Sequence, residues 1–283
     1  MANTTTTSLN DLIPSIVSEA LFIASERSVI RPLVRNFTIP NGSGNTLTVP
    51  NYPQVTAITV AEATDLAGGS GDIAVSTNGA VITLGEVGVM TLITDVSVES
   101  AASNVPADVG RVFGEAIARK LEGDLSALFT GFTTTLGNDS TALTLADIFH
   151  AITLLTNQGI PVDGMVVVLN PKAAFDVKST TSNAFVNPNS GSINERIMGT
   201  GYLGLVGGVP VYESSNVSET SGVNTSAVFH RDALGLAMSR DLRIEMQRDA
   251  SMRGHETVAS ARYGVAELID SYGVALLNQS SLG

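Results

Sequence analysis

Three kinds of residue in this chain could do chemistry: a glycine pattern of the phosphate-cradling sort, a set of histidines, and carboxylates at acid/base spacing. Gly199-Thr-Gly-Tyr-Leu-Gly204 matches the dinucleotide-binding pattern letter by letter. That chemistry needs a preceding strand and a following helix whose amino terminus receives the pyrophosphate. Here Asn194-Glu-Arg-Ile-Met precedes and Leu205-Val-Gly-Gly-Val-Pro210 follows, so the run reads as a glycine-rich loop entering a strand. His150, His230 and His255 are dispersed, and none stands in a metal-ligand spacing. His150, on a predicted helix near apolar positions, reads as a partly buried packing residue. Carboxylate pairs such as Glu122 and Asp124 are too common on helix surfaces to nominate an acid/base couple. There is no Gly-x-Ser-x-Gly elbow, no Walker loop and no cysteine nucleophile. The sequence nominates no catalytic residue, no cofactor and no metal site.

Charge distribution says more than any motif. Between Arg35 and Arg111 there is no lysine or arginine, only the carboxylates Glu62, Asp65, Asp72, Glu86, Asp95, Glu99 and Asp108. Residues 231–262 carry Arg231, Arg240, Arg243, Arg248, Arg253 and Arg262 among five acids. Solvated strand faces account for this pattern; so does an acidic arm meeting arginine-bearing strands across a subunit boundary, where complementarity sets register and partner choice. The formal charge of −12 argues against a general phosphate-neutralising surface for nucleic acid. Cysteine is absent, so neither disulfides nor thiolate metal sites supply stability. The first residues have no basic or apolar signal region, and no apolar run is long enough to span a bilayer.

These side chains need elements to hold them. The 283 residues, 43% hydrophobic, suffice for one large domain or two closely joined ones, while 5% aromatics and 27 glycines suit an extended protein. Residues 1–10 are polar; Asp11 to about Ile30 shows Leu12, Ile16, Ala20 and Ile23 at helical spacing. Arg27, Arg31 and Arg35 follow at four-residue intervals, interrupted by Pro32, and form either a solvated face or an arm that touches an acidic neighbour or packaged polyanion. From Phe37 the pattern is β: a turn at Asn41-Gly-Ser-Gly44, strand-like Leu47, Val49, Ile58 and Val60, a bend at Gly68-Gly-Ser-Gly71, and a return from Val81 to Val98. This is a projecting hairpin with too few large apolar side chains to enclose its own core.

At Asn104-Val-Pro-Ala-Asp108 a long helix begins, with Val105, Val109, Val112, Ala116, Ile117, Leu121, Leu125 and Leu128 on one stripe. Its roughly 24 residues span about 36 Å. Gly110, Gly114 and Gly123 within it predict close backbone approach by another element. An α/β stretch follows. Thr144-Leu-Ala-Asp147 has the form of a capping box, Met165 to Leu169 is a central strand, and Asn170-Pro171 opens a second helix to about Lys178. Ser179 to Ser192 is a surface loop, Val209-Pro-Val211 and Ala227 to His230 are strands, Leu242 to Gln247 alternates as a half-buried strand, and Thr257 to Leu277 continues as β structure.

The order of these elements resembles the major capsid protein of tailed bacteriophages, in the Hong Kong 97 fold. The features that carry the resemblance are the glycine-bearing helix from Asn104 to Phe129, the run Thr144 to Lys178 with Val166-Val-Val-Leu-Asn-Pro171, and Leu205-Val-Gly-Gly-Val-Pro-Val211 before a β segment. It implies an α+β fold: an amino-terminal arm (1–36), an extended β-hairpin loop (37–98), a peripheral domain with a long spine helix (99–131 and 231–283), and an α/β axial domain (132–230). It also implies a structural role without enzymatic activity. Copies would assemble as pentamers and hexamers into an icosahedral head that encloses double-stranded DNA, contacted weakly and without sequence specificity, and assembly would occur in the host cytoplasm. Separate scaffolding, portal and decoration proteins are implied partners, and a membrane is not. The candidate subunit-interface residues are Arg27, Arg31, Arg35, Glu62, Asp65, Asp72, Glu86, Arg243, Arg248 and Arg253.

Two departures from the prototype bear on strength. The prototype joins neighbours through a lysine on the extended loop, whereas the lysines here are Lys120, Lys172 and Lys178, so that cross-link is not expected. A long amino-terminal scaffolding segment is also not expected. An encapsulin-like shell around protein cargo shares the fold and is the alternative; a cytosolic α/β enzyme would have only the bare glycine motif in its favour.

Overall fold

The computed structural model describes residues 28–40, 42, 44–52, 57, 59, 78–100, 105–180 and 202–282. The amino-terminal helix from Asp11, the Gly68–Gly71 bend, Ile58 and Val60, and the loop beyond Thr180 lie outside them. Arg35–Thr38 (β1), Thr46–Asn51 (β2), Asn78–Thr83 (β3) and Gly85–Thr94 (β4) are strands. β2 and β3 pair antiparallel, Thr46 opposite Thr83 and Asn51 opposite Asn78, and form a two-stranded sheet of their own. The strand predicted to reach Val98 ends earlier, because Thr94 starts a helix. Its Oγ1 accepts from Ser97 N (3.3 Å), its carbonyl accepts from Ser97 Oγ (2.7 Å), and Asp95 lies at the positive end of the short helix α1, Asp95–Ser100.

The long helix α2 covers Val105–Ala127 and tightens into a turn at Leu128–Gly131. Its core face is rotated from the predicted stripe: Phe113, Ile117, Leu121 and Leu125 are buried, whereas Val112 is 62% exposed and Ala116 is exposed. Gly110 and Gly114 are buried, but a side chain added at Gly123 would meet nothing within 4 Å, so close packing does not explain that glycine.

Thr135–Gly137 (β5) precedes α3, Leu145–Asn157, whose capping box forms as predicted: Thr144 Oγ1 accepts from Asp147 N (3.4 Å) and Thr144 N donates to Asp147 Oδ2 (2.9 Å). Met165–Leu169 (β6) is buried at every position, as a central strand requires. Asn170 Oδ1 then accepts from Lys172 N (2.9 Å) at the start of α4, Pro171–Thr180. Tyr202–Val206 (β7), Val209–Glu213 (β8), Glu219–Thr220 (β9) and Val223–His230 (β10) follow. The last three strands are Leu234–Asp249 (β11), Gly254–Glu267 (β12) and Gly273–Gln279 (β13).

These strands make two larger sheets. One has the order β1-β11-β12-β4; the other has the order β5-β13-β10-β6-β8-β7, with β9 on β10. Two segments therefore sit apart from the expected divisions. β4, placed with the extended loop by sequence, pairs with β12 over its full length, and β13, placed with the peripheral segment, lies between β5 and β10. α2 packs against both sheets. One apolar core joins Phe113, Ile117, Leu121 and Leu125 to Ala259, Ala261 and Tyr263 of the first sheet and to Val166, Val168 and Phe229 of the second. The rings of Phe129 and Phe229 lie 5.5 Å apart. α3 and α4 cover the opposite face of the second sheet, with Ile148, Leu155, Ala173 and Val177 on Val167, Val228 and Leu276.

Candidate subunit interface

The motif-bearing residues separate rather than converge. The end of the glycine pattern, Tyr202 onward, enters β7, and among the described residues a turn and β8 follow where a pyrophosphate site needs a helix. His150 is exposed, against expectation, because residues 148, 151, 152 and 155 take the buried face of α3. His230 accepts from Asp232 N through Nδ1 (3.2 Å), with Nε2 3.1 Å from the Asp163 carbonyl, while His255 lies 3.2 Å from Arg248 on the other sheet. Among the described residues no group of three or more His, Asp or Glu could hold a metal ion. Among them, too, no helix is long and apolar enough to cross a membrane.

The charged candidates line the four-stranded sheet. Arg27, Glu62, Asp65 and Asp72 lie outside the described residues. Arg31 is 3.8 Å from Asp241, and Arg35 is 3.7 Å from Asp232 with its guanidinium over the Phe37 ring at 5.2 Å. Glu86 pairs with Arg240, which also donates to Ser260 Oγ (3.3 Å). Arg248 grips Asp95 with both terminal nitrogens, at 2.6 and 2.7 Å. That hydrogen bond holds the Asp95 carboxyl below the usual carboxylate range and raises the guanidinium. The Arg253 carbonyl accepts from Asp95 N (3.0 Å), and its φ of 49° closes the turn between β11 and β12. Arg243 pairs with Glu245 two positions along β11, on the exposed face.

Two carboxylates of the base-free stretch thus find arginine within their own chain. The topology explains it: β4 lies one strand from β11, so side chains at Glu86 and Asp95 reach across β12. Surface pairs of this kind contribute about 0–1 kcal/mol each.

The residue that sequence reasoning passed over is Glu122. It is wholly buried, and its carboxylate accepts from Ile30 N (2.8 and 3.0 Å), Arg31 N (3.1 Å) and Ser28 Oγ (2.8 Å). It pins the incoming chain to the last third of α2, with Ile30 and Val34 buried in the same core. Burial pushes its carboxyl above the ordinary range against these hydrogen bonds. Asp124, two residues on, faces elsewhere, accepting from Tyr263 Oη (2.8 Å) and Lys120 Nζ (2.6 Å). The one available signal was an acid two residues from another on a helix, where the two must face different sides.

The hairpin and the sheet leave apolar surface uncovered in the single chain: Tyr52 is 65% exposed, Val81 53% and Met90 61%. A family model of phage capsid proteins matches residues 77–277, well over half of the sequence. The chain belongs to the phage capsid protein family. No protein of curated function matches the sequence. Solved structures share the fold at low identity. A chain of Mycobacterium phage Che8 is 21% identical with a TM-score of 0.65, covering 82% of this chain and 84% of that one. The capsid of cyanophage P-SCSP1u matches at 17% and 0.68, covering 90% and 89%; that of Ralstonia phage GP4 matches at 8% and 0.74, covering 90% and 92%. The fold is the Hong Kong 97 type, and the chain is a structural capsid protein of the virion, which assembles with further copies of itself. The family match favours this over an encapsulin-like shell.

Proposed function

We propose that this capsid protein assembles as pentamers and hexamers into an icosahedral head around double-stranded DNA, in the host cytoplasm, alongside separate scaffolding, portal and decoration proteins, and that it catalyses no reaction. The observation that supports this reading is the projecting β2–β3 hairpin, whose own chain leaves Tyr52 and Val81 exposed. The base of the ribbon packs on its own chain through Leu47, Val49 and Ile82, and the apolar side chains left exposed, Tyr52 and Val81, are surface for a second copy to cover. The remaining acids of the arm, Glu62, Asp65 and Asp72, accept from arginines of neighbouring copies, with Arg243 and Arg253 on the exposed sheet end as donors and Arg27, Arg31 and Arg35 contributing from the amino-terminal arm. Arg243 is suited to this because its partner Glu245 is as exposed as it is, so exchanging one carboxylate for another costs little.

Negative-stain microscopy of protein purified with its scaffolding protein tests the reading. Closed shells with five- and six-fold capsomers, and nuclease-protected DNA in particles from infected cells, are expected. A monomer or small oligomer at every concentration and salt tried would refute it.

A further inference from the structure

The chain passes between its two larger sheets three times: from α2 into β5, from β10 into β11, and from β12 into β13. The third crossing, from Glu267 to Gly273, touches both of the others and is tied to each by a different kind of bond. Toward the second crossing it uses main chain alone: the Ala233 carbonyl accepts from Leu268 N (2.7 Å) and Ile269 N (3.3 Å). Toward the first it uses carboxyl groups. Asp270 Oδ1 accepts from Thr133 N (2.8 Å), and the Glu267 carboxyl lies against Gly131, where an added Cβ would sit 2.8 Å from Oε2. Between these two contacts the Phe132 ring fills the space that Gly273 leaves open.

The two carboxyls also hydrogen-bond each other. Such a bond needs a proton, because ionised carboxylates only accept. The surroundings supply no substitute for it. The turn Leu128–Gly131, residues 132–134, Leu234 opposite Glu267, and β13 carry no charge. Asp124 of α2 is engaged by Tyr263 and Lys120, and on the second crossing Asp232 faces Arg35 (3.7 Å) and His230 (3.6 Å), while Arg231 donates its main-chain N–H to the Gly164 carbonyl. Among the described residues no base forms an ion pair with Glu267 or Asp270. Glu267 also stands at the carboxyl end of α2 and its terminal turn, where the helix dipole disfavours negative charge. Burial pushes its carboxyl above the ordinary range, and the neighbouring Asp270 pushes it further. Asp270 is exposed, so the pair exchanges its proton with solvent.

We propose that this crossing is a proton-operated joint between the two sheets. With a proton on Glu267, that group donates to Asp270, Asp270 stays turned toward Thr133, and the three crossings are fixed together. Without it two like charges stand side by side with no base to neutralise them, Asp270 swings toward solvent, and only the Ala233 bonds and apolar packing remain. The sheets then gain freedom to change their mutual angle, at a hinge made of element ends. The sign is definite: a raised carboxyl favours the held joint at low pH and releases it as pH rises through the raised value.

Hydrogen exchange of the full chain as a subunit, corrected for the intrinsic effect of pH on exchange, reads the joint whether or not a shell forms. Protection of peptides spanning residues 131–135 and 268–273 is expected to fall by about 10-fold as the proton leaves, one unit of titration difference being one factor of ten. Peptides of β6, in the core, are expected to hold constant. Glu267→Gln, whose amide donates to Asp270 at every pH, is expected to stay protected with a flat profile. Protection that ignores pH or rises with it in the unaltered chain, or a Glu267→Gln variant that keeps the full pH dependence, overturns the joint. If Glu267→Gln does not fold, the Glu267 carboxyl resonance of the unaltered chain decides. Titration above the ordinary glutamate range, moved down by Asp270→Asn, supports the shared proton; titration within that range, or no movement in Asp270→Asn, overturns it.

Discussion

Glu122 decides whether the incoming chain stays on the spine helix, and the size of its effect follows from its contacts. Replacing it with alanine leaves the buried Ile30 amide and the part-buried Arg31 amide without an acceptor and frees the Ser28 hydroxyl. Each orphaned donor costs about 1–3 kcal/mol. Relief of the buried charge returns part of this, so the net loss for holding residues 28–34 is about 3 kcal/mol. At about 1.4 kcal/mol per factor of ten, local protection falls ~100-fold. Glu122→Gln keeps the volume and one acceptor oxygen, and its loss is smaller, about 1–2 kcal/mol. Hydrogen exchange of peptides spanning residues 28–38 in the isolated subunit reads this directly, and trypsin cleavage after Arg27 and Arg35 provides a second measure, since Pro32 protects the bond after Arg31. The pH dependence has a definite sign. Because burial raises the carboxyl in the docked state, docking binds a proton more tightly than release does. The attachment is then fullest below the ordinary glutamate value and weakens as pH rises through the raised one, whereas Glu122→Gln is flat over the same range. Unchanged protection in both variants, or docking that tightens with rising pH, would refute the reasoning.

Leu125→Ala, at a fully buried position in the core shared by both sheets, is expected to cost about 2–5 kcal/mol in chemical denaturation of the subunit. Gly264→Ala drives a methyl group into the Thr83 carbonyl, so the hairpin base shifts; shell yield is expected to fall further than subunit stability, and equal losses would count against the hairpin's role in assembly. Arg243→Glu is expected to leave the unfolding free energy of the subunit within about 0.5 kcal/mol of the original while reducing particle yield, with ordinary yield as the contrary result. Asp95→Asn removes the grip on Arg248. In the unaltered chain that contact is expected to persist above the ordinary aspartate value and fade as pH falls through its lowered one, followed by the Asp95 carboxyl resonance.

Much of the fold was legible because its strongest signals are local. The Thr144/Asp147 capping box, the apolar run from Met165 to Leu169 and the proline-led spine helix are each dictated within a few residues of sequence. The rotation of the spine helix was not legible, since Phe113 and Val112 are adjacent and only the position of the sheet decides which is buried. Nor was the membership of β13, a short apolar strand whose neighbours are chosen by β10, far away in sequence. The charge map drew attention to Asp95, Glu86 and the β11 arginines, but charge counts carry no distances. They could not tell that Arg248 reaches Asp95 across a strand of its own sheet. Glu122 stayed hidden for a different reason: what makes it notable is the main chain it accepts from, more than 90 residues earlier, and backbone amides leave no mark in sequence.

The interleaving of the two sheets bears on synthesis. The chain contributes β1 and β4 to the first, β5 to β10 to the second, β11 and β12 to the first again, and finally β13 to the second. Domains emerging from the ribosome ordinarily fold in order, amino-terminal first. Here the first sheet lacks its long central strands until residue 267 has been made, and the second waits for residue 279. Nascent chains of this protein therefore cannot present a finished assembly surface while most of their length is still being translated, which keeps incomplete subunits out of the growing shell.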